Sequence, residues 1–194
     1  MSLDGSGSDG GVSRRYLLGA FAALPASLAV PAWAQEQPAH VAQDFWIRPR
    51  QVRLVHSSGE RLETTYWADG QLDPQGYAEL SWFLRDRSVQ RGVYMNPVLL
   101  DITYAICGWL AWFGVHAPVV VTSGYRDPKR NLGIEGSARN SLHVTGDATD
   151  IRIPGVSTYQ TARFAAWLGG GGVGWYPGKD FTHVDRGRLR VWRG

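Results

Sequence analysis

Cysteine is almost absent from this chain, and so are the sequence signals of several common classes of protein. Cys107 is the only cysteine among 194 residues, so no internal disulfide can form. It lies within an apolar helical pattern, and we interpret it as a buried, inert thiol rather than a nucleophile. The chain also has no long run of lysine and arginine, no internal repeat and no Gly-x-Ser-x-Gly motif. Neither a basic nucleic-acid-binding tail nor a serine hydrolase elbow is therefore predicted.

The first 34 residues resemble an export signal rather than part of a fold. The segment Ser13-Arg14-Arg15-Tyr16-Leu17-Leu18 is a twin-arginine pattern, and an apolar run follows it to about Val30. The small residues of Ala32-Trp33-Ala34 predict cleavage before Gln35. The run is short and is broken by Ala and Pro, so we expect no stable membrane span; an uncleaved anchor is the alternative. We therefore expect a periplasmic mature chain of residues 35–194, exported by the twin-arginine route.

The charge of the chain is mildly basic and says little about a partner. The formal net charge is +3. Residues 1–34 hold two arginines and two aspartates, so their removal leaves that value unchanged. Mild basicity suits the anionic cell wall and nucleic acid equally well. Because the chain is expected outside the cytoplasm, we predict no nucleic-acid partner.

The order of the predicted elements indicates one α+β domain. After a polar linker, residues 35–49, alternation of apolar and polar residues predicts a hairpin from strands over 50–55 and 63–67. Further strands are predicted over 118–121, 148–153, 173–176, 181–185 and 189–192, with helices over 74–86, 98–113 and 158–168. We expect residues 50–194 to form a single domain, with a central, mainly antiparallel sheet, helices packed on it and a cleft.

Three residues, His143, Asp150 and His183, carry the chemistry that the sequence offers. In the strand over 148–153 the isoleucines favour the core, which turns Asp150 towards the cleft. The same alternation places His183 on the face opposite Val184. Two imidazoles and one carboxylate form a zinc site with one position open for water, which would make this a zinc cleft. Spacing alone leaves open the alternative that the histidines are hydrogen-bonded structural residues.

The residues around this trio match an ordered set of family motifs. Ser141-x-His143-x-x-Gly146-x-Ala148-x-Asp150 resembles the SxHxxGxAxD motif of the M15-type zinc D,D-/L,D-peptidase superfamily. Ser123-Gly124-Tyr125-Arg126 resembles its upstream SGYR segment. Over about residues 50–193 the chain is most similar to the exported YcbK-like murein endopeptidases. The other segments that resemble this branch are Leu62-Glu63-Thr64-Thr65-Tyr66-Trp67-x-Asp69-Gly70, Gly171-Gly172-Val173-Gly174-Trp175-Tyr176-Pro177 and His183-Val184-Asp185-Arg186-Gly187.

The resemblance implies a zinc-dependent murein endopeptidase that hydrolyses crosslinks between the stem peptides of peptidoglycan. His143, Asp150 and His183 would bind Zn²⁺, which polarises the scissile carbonyl and lowers the pKa of bound water from about 15.7 to about 7. Arg126 would hold a carbonyl oxygen or a substrate carboxylate, since its fixed fork of donors suits both better than lysine does. A structural ion pair with Asp127 or another nearby acid is the alternative for Arg126.

The general base is a choice between two aspartates. Related enzymes place an acid three residues before the last ligand, and that position is Asp180 here. Asp180 has the wrong strand parity for the face of His183 unless the chain bends at Lys179-Asp180, which the preceding Pro177-Gly178 permits. Asp185 has the right parity and would act as the base or as a hydrogen-bond acceptor for a ligand histidine. We favour Asp180 as the base.

Two other functions are compatible with the sequence. A peptidoglycan-binding module without turnover would use the same scaffold. A carboxypeptidase or dipeptidase acting on free stem-peptide termini would need a pocket closed at one end. Trp175 and Tyr176 either line the substrate groove or pack in the core, since strands are rich in aromatic residues in any case. We take a monomer as the default oligomeric state.

Overall fold

The computed structural model describes residues 44–134 and 138–194 of the chain. The predicted signal peptide, residues 1–34, and most of the predicted linker, residues 35–49, lie outside this part. Within the described residues, no helix combines the length and the apolar content needed to cross a membrane.

One open sheet of eight strands forms the centre of the described fold. Across the sheet the strands follow the order β3-β2-β1-β4-β5-β7-β6-β8. Alternation of side chains is visible in β1, which buries Val52 and Leu54 and leaves Arg53 exposed. In chain order the strands are β1 (Arg50–His56), β2 (Arg61–Ala68), β3 (Gln71–Leu72), β4 (Val119–Ser123), β5 (Ala148–Arg152), β6 (Gly172–Tyr176), β7 (Phe181–Asp185) and β8 (Arg190–Arg193).

The helices that follow β1 begin at strong start signals. They are α1 (Pro74–Phe83), α2 (Pro97–Trp112), α3 (Pro128–Leu132) and α4 (Thr158–Leu168). The first three begin with proline, and each is preceded by an Asp or Asn whose side chain accepts a hydrogen bond from the first turn. Ser157 and Gln160 form a capping box at α4. The predicted helices over 98–113 and 158–168 are confirmed, whereas the helix predicted over 74–86 ends at Phe83.

The sheet is mixed, which corrects the prediction of a mainly antiparallel sheet. The pairs β1–β4 and β6–β8 are parallel, and the other five neighbouring pairs are antiparallel. Alternation in a sequence indicates that a strand exists but not which strand lies beside it. Parallel neighbours need a crossover connection, and the segment between β1 and β4, which contains α1 and α2, provides one. The short link 186–189 carries β8 past β7 to the outer edge of β6.

The core lies where α1, α2 and α4 pack against the sheet. Leu54 of β1, Leu99 of α2, Ile151 of β5 and Val184 of β7 are almost fully buried there. Helix α2 is apolar on most of its faces, as expected for a helix at the centre of a fold. Cys107 lies on this helix, and desolvation raises the pKa of its thiol to about 11, which agrees with an inert side chain.

Residues 44–47 form a helical turn that packs on α2. The ring of Phe45 stacks on that of Tyr104, with the centroids 4.5 Å apart, and the Tyr104 hydroxyl donates a hydrogen bond to the Phe45 carbonyl. Gly108 leaves the space for this contact, because a Cβ atom there would lie 2.3 Å from Cε2 of Phe45. The described end of the predicted linker is therefore attached to the central helix.

A candidate metal centre in an open cleft

Three elements bring His143, Asp150 and His183 together. His143 lies on a 3-10 turn (Leu142–Thr145), Asp150 on β5 and His183 on β7. The antiparallel register pairs Asp150 with His183, so the two side chains leave the same face of the sheet side by side. The turn ends at Gly146, whose φ of 77° lies in the left-handed region that favours glycine. The sequence therefore predicted a trio that the fold does assemble.

The donor atoms of the trio point at one another. One ligand atom from each residue lies within 4.8 Å of the other two. Nε2 of His143 lies 3.2 Å from Nδ1 of His183, and Oδ1 of Asp150 lies 3.2 Å and 2.8 Å from these two nitrogens. His143 and Asp150 are almost fully buried, whereas His183 is partly open to the cleft.

The outer hydrogen bonds fix which nitrogen of each imidazole carries a proton. Nδ1 of His143 lies 2.7 Å from the backbone carbonyl of Gly124, which can only accept, so this nitrogen donates. Nε2 of His183 lies 3.0 Å from Oδ2 of Asp185, a carboxylate that likewise accepts. In the neutral rings both inner nitrogens then carry lone pairs that face the Asp150 carboxylate. Three acceptors converging in this way fit a shared cation, with the donor set that zinc prefers.

The electrostatics of the trio favour an ionised Asp150 and make His143 harder to protonate than His183. Burial alone would raise the pKa of Asp150, but the charges and hydrogen bonds of His143 and His183 outweigh it and hold the pKa well below its usual range. Burial lowers the pKa of His143. For His183, hydrogen bonds to Asp150 and Asp185 outweigh burial and raise the pKa. A metal ion would therefore have to compete with a proton on His183 more than with one on His143.

Asp185 has no exposed surface and is held by four donors besides His183. The backbone N–H groups of Gly172 and Gly187 donate to Oδ1 at 3.0 Å and 2.7 Å. Arg190 donates to both oxygens, at 3.2 Å to Oδ1 and 2.7 Å to Oδ2. Arg190 was not among the residues predicted from the sequence, because no spacing signal links a residue of β8 to one of β7. Gly172 makes room for this pair, since a Cβ there would lie 2.3 Å from Nη1 of Arg190.

Arg126 lines the cleft beside the trio. Its Nη2 donates to Oδ2 of Asp150 at 2.5 Å, and its Nε donates to Oγ of Ser123 at 2.8 Å. Asp127, the acid that the sequence offered as the alternative partner, instead accepts from Arg91 at 3.0 Å and from the N–H of Lys129. Arg126 is therefore close enough to the trio to contact a ligand bound there.

Asp180 is not brought to the trio. The bend that the sequence allowed is present, since residues Pro177–Lys179 form a 3-10 turn and Asp180 follows with a φ of 52°. The Asp180 side chain is 75% exposed, however, and its nearest cation is Arg152, with Nη1 and Oδ2 3.9 Å apart. Asp185 is closer, but it contacts the ring nitrogen of His183 that faces away from His143 and Asp150.

The trio lies in an open cleft of about 790 Å³ that crosses the sheet. On the β1 side the cleft is lined by Arg85 and Arg87, which both pair with Glu60. On the β8 side it is lined by Tyr176 and other aromatic residues. Of the two aromatic candidates from the sequence, Tyr176 lies in the cleft, whereas Trp175 packs against the core and donates to the Thr158 hydroxyl at 3.1 Å.

Comparison with known proteins gives a family match over most of the chain. The model of the family Peptidase M15_2, described as peptidoglycan L,D-endopeptidase MepK, matches residues 46–192. The probable peptidoglycan L,D-endopeptidase MepK of Haemophilus influenzae is 34% identical over 142 residues, which cover 71% of this chain and 75% of the relative. The peptidoglycan L,D-endopeptidase MepK of Escherichia coli K12 is 31% identical over 150 residues, 75% of this chain and 81% of the relative.

Proposed function

Because the chain belongs to the Peptidase M15_2 family, we propose that it is a zinc-dependent peptidoglycan L,D-endopeptidase that hydrolyses crosslinks between stem peptides. The relatives are named for this activity, and the family match spans nearly all of the described chain. The observation that carries the proposal is the convergence of three donor atoms within 4.8 Å at the floor of an open cleft. An open cleft suits an internal bond of a crosslinked network better than a closed pocket would, because such a bond has chain on both sides.

We propose His143, Asp150 and His183 as the metal ligands and Zn²⁺ as the ion. Two imidazole nitrogens and one carboxylate oxygen are typical of catalytic zinc, while Mg²⁺ and Ca²⁺ favour oxygen ligands alone. Bound zinc would supply a Lewis acid that polarises the scissile carbonyl and lowers the pKa of a coordinated water. Gly124 and Asp185 would hold the two imidazoles with their inner lone pairs free for the ion.

Arg126 is proposed to contact the substrate. Its Nη2 holds Oδ2 of Asp150, which leaves Oδ1 directed at the two imidazoles. The side chain is 16% exposed, and it lines the cleft, so its other guanidinium nitrogen is placed to donate to a carbonyl oxygen or carboxylate of the stem peptide. Arg126 would thus both orient a metal ligand and bind the polarised end of the scissile group.

For the general base, Asp180 and Asp185 are both kept as candidates, with different expectations. Asp185 already accepts from His183, Arg190 and two backbone N–H groups, so we propose that it positions His183. Asp180 can serve as the base only after its carboxylate leaves Arg152 and turns into the cleft. The pH–rate profile of Asp180→Ala decides this role: loss of the acidic limb assigns the base to Asp180, and an unchanged profile removes it.

We further propose that the mature chain, residues 35–194, is a periplasmic monomer exported by the twin-arginine route. Peptidoglycan lies outside the cytoplasmic membrane, so the proposed substrate requires export. The twin-arginine pattern at residues 13–18 and the small residues before Gln35 support this path. N-terminal sequencing of the exported protein should begin at Gln35, and replacement of Arg14 and Arg15 by lysine should retain the precursor in the cytoplasm.

Digestion of purified sacculi tests the enzymatic proposal. The zinc-loaded protein should release monomeric from crosslinked muropeptides, with a preference for L,D- over D,D-crosslinked dimers, and a chelator should stop the reaction. Asp150→Asn is the matched inactive control, because it keeps the size of a ligand residue and removes its charge. Sedimentation with sacculi and no product at full zinc occupancy would instead indicate a binding module. Release only of terminal amino acids would indicate a carboxypeptidase.

A further inference from the structure

The β8 side of the cleft carries an aromatic shelf, formed by Tyr176, Phe181 and Trp192. These residues come from three neighbouring strands, β6, β7 and β8, and all three are half-buried. The rings of Tyr176 and Phe181 stack with centroids 4.4 Å apart, and Nε1 of Trp192 donates to the Tyr176 hydroxyl at 2.9 Å. The three rings are therefore linked to one another, and the Arg190 guanidinium lies over the ring of Trp192, 4.8 Å from its centroid.

The shelf continues directly from the candidate metal centre. The ring centroids of Trp192 and His183 are 5.3 Å apart. Gly174 lies between them in the sheet, paired with His183 on β7 and with Trp192 on β8. A Cβ atom at Gly174 would lie 2.6 Å from Cζ2 of Trp192, so only a glycine lets the indole lie across this strand. A substrate group next to the scissile bond would thus meet the shelf first.

Lys179 adds a positive charge at the same side of the cleft. It lies on the turn between β6 and β7, is exposed and lines the cleft. Among the lysines and arginines of residues 44–134 and 138–194 that line the cleft, Lys179 alone makes no hydrogen bond or ion pair. The arginines of the cleft all have ion-pair partners: Arg126 pairs with Asp150, Arg190 with Asp185 and Arg130 with Asp86, while Arg85 and Arg87 share Glu60, whose single charge balances one of the two.

We infer that the aromatic shelf and Lys179 form a subsite for an aliphatic chain that ends in a carboxylate. The inference rests on the proposed function, since the last side-chain carbon of diaminopimelate, a diamino acid of stem peptides, bears a carboxylate beside the amine that is used in crosslinks. Methylene groups would pack on the half-buried rings, and the carboxylate would meet the unpaired ammonium. A sugar ring fits less well, because its hydroxyls need several polar partners, and the indole N–H of Trp192 is already donated to the Tyr176 hydroxyl.

Calorimetric titration of the full mature chain with two stem tripeptides tests the subsite. One tripeptide carries the free side-chain carboxylate of its diamino acid, and in the other this group is amidated. The wild type should bind the free acid more tightly by roughly tenfold, the effect of one partly exposed charge-assisted contact. Lys179→Gln should abolish this difference. Lys129→Gln should preserve it, because Lys129, the only other lysine of the chain, is exposed and lies outside the cleft.

A second variant tests the aromatic part. Phe181→Ala should weaken binding of both tripeptides to a similar extent, while Trp167→Ala, at an exposed aromatic residue of α4, should leave both unchanged. Equal binding of the acid and the amide by the wild type, or an unaltered preference in Lys179→Gln, overturns the inference. If sacculi are digested but these variants bind normally, the subsite is wrong and the proposed function stands. If the variants behave as expected but no sacculus is cut, the proposed function is wrong and the subsite stands.

Discussion

His143 and His183 present the same kind of donor atom in two opposite ways. His143 lies on a turn between a loop and a strand, directs Nε2 at the centre and donates Nδ1–H to the backbone carbonyl of Gly124. His183 lies in the middle of β7, directs Nδ1 at the centre and donates Nε2–H to the carboxylate of Asp185. One imidazole is thus held by main chain and the other by side chains.

The difference locates the contact on which each proposed ligand depends most. No side-chain substitution can remove the carbonyl of Gly124, so His143 depends on the path of the backbone around it. That path is tight, because a Cβ at Gly124 would lie 2.3 Å from the carbonyl oxygen of Leu84. His183 depends instead on Asp185, and Asp185 depends on Arg190. A substitution at Asp185 or Arg190 should therefore loosen His183 and leave His143 unaffected.

The largest effect is expected when either imidazole is removed, because the two histidines should then behave alike. His143→Ala and His183→Ala should each lower kcat/KM on crosslinked muropeptides by on the order of a thousandfold or more, about 4 kcal/mol in activation free energy. Each should also lose zinc in a chelator competition assay. His116→Ala is the control, since no partner of the trio is altered. Retention of stoichiometric zinc and full activity by either variant would exclude that histidine as a ligand.

An intermediate effect is expected for Asp185→Asn. The amide keeps the shape but cannot match the charge that orients Nε2–H of His183, and residues of this kind typically change metal affinity or activity by about 10–100-fold. Arg190→Lys should have a smaller effect in the same direction, because lysine cannot make the two parallel hydrogen bonds seen with Asp185. Zinc affinity and kcat, measured separately, check both variants.

Asp147→Asn is the matched control for Asp185→Asn. Asp147 accepts a hydrogen bond from Arg186 at 3.0 Å, and none of the contacts of the trio involves it. Wild-type zinc affinity in Asp185→Asn, or an equal loss in Asp147→Asn, would contradict the positioning role. Either result would also remove the contrast between His183, held by a side chain, and His143, held by the main chain.

The smallest effect is expected from a backbone change on the His143 side. Gly146→Ala places a Cβ at a φ of 77° and 2.8 Å from Cγ2 of Val93, whereas Gly155→Ala has a φ of 81° but nothing within 4 Å. Each variant should lose about 1 kcal/mol of unfolding free energy, because alanine is strained at a positive φ. Gly146→Ala should lose more, because its Cβ also meets Val93. For a domain of this size, each kcal/mol lowers Tm by roughly 2–4 °C. Zinc affinity should fall in Gly146→Ala alone, and an equal fall in both variants would contradict the assignment.

Much of the site could be predicted from the sequence, because its chemistry is local. Alternation along β5 and β7 already placed Asp150 and His183 on faces away from the core, and a glycine after His143 allowed the turn. Alternation also puts Trp175 and Tyr176 on opposite faces of β6, but it could not say which face is buried and which is open. Alternation gave Asp180 the wrong parity for the face of His183, and the turn after Tyr176 indeed directs its carboxylate to Arg152 of β5.

The α+β class, the starts of the helices and the convergence of His143, Asp150 and His183 could all be predicted from the amino-acid sequence. Each of these depends on residues a few positions apart, whose spacing sets the face or the cap. Three features could be seen only in the folded domain: the sheet is mixed, Arg190 of β8 binds Asp185, and an aromatic shelf adjoins His183. These features depend on which strands become neighbours. Such neighbours are chosen by the packing of the whole domain, and no local pattern records that choice.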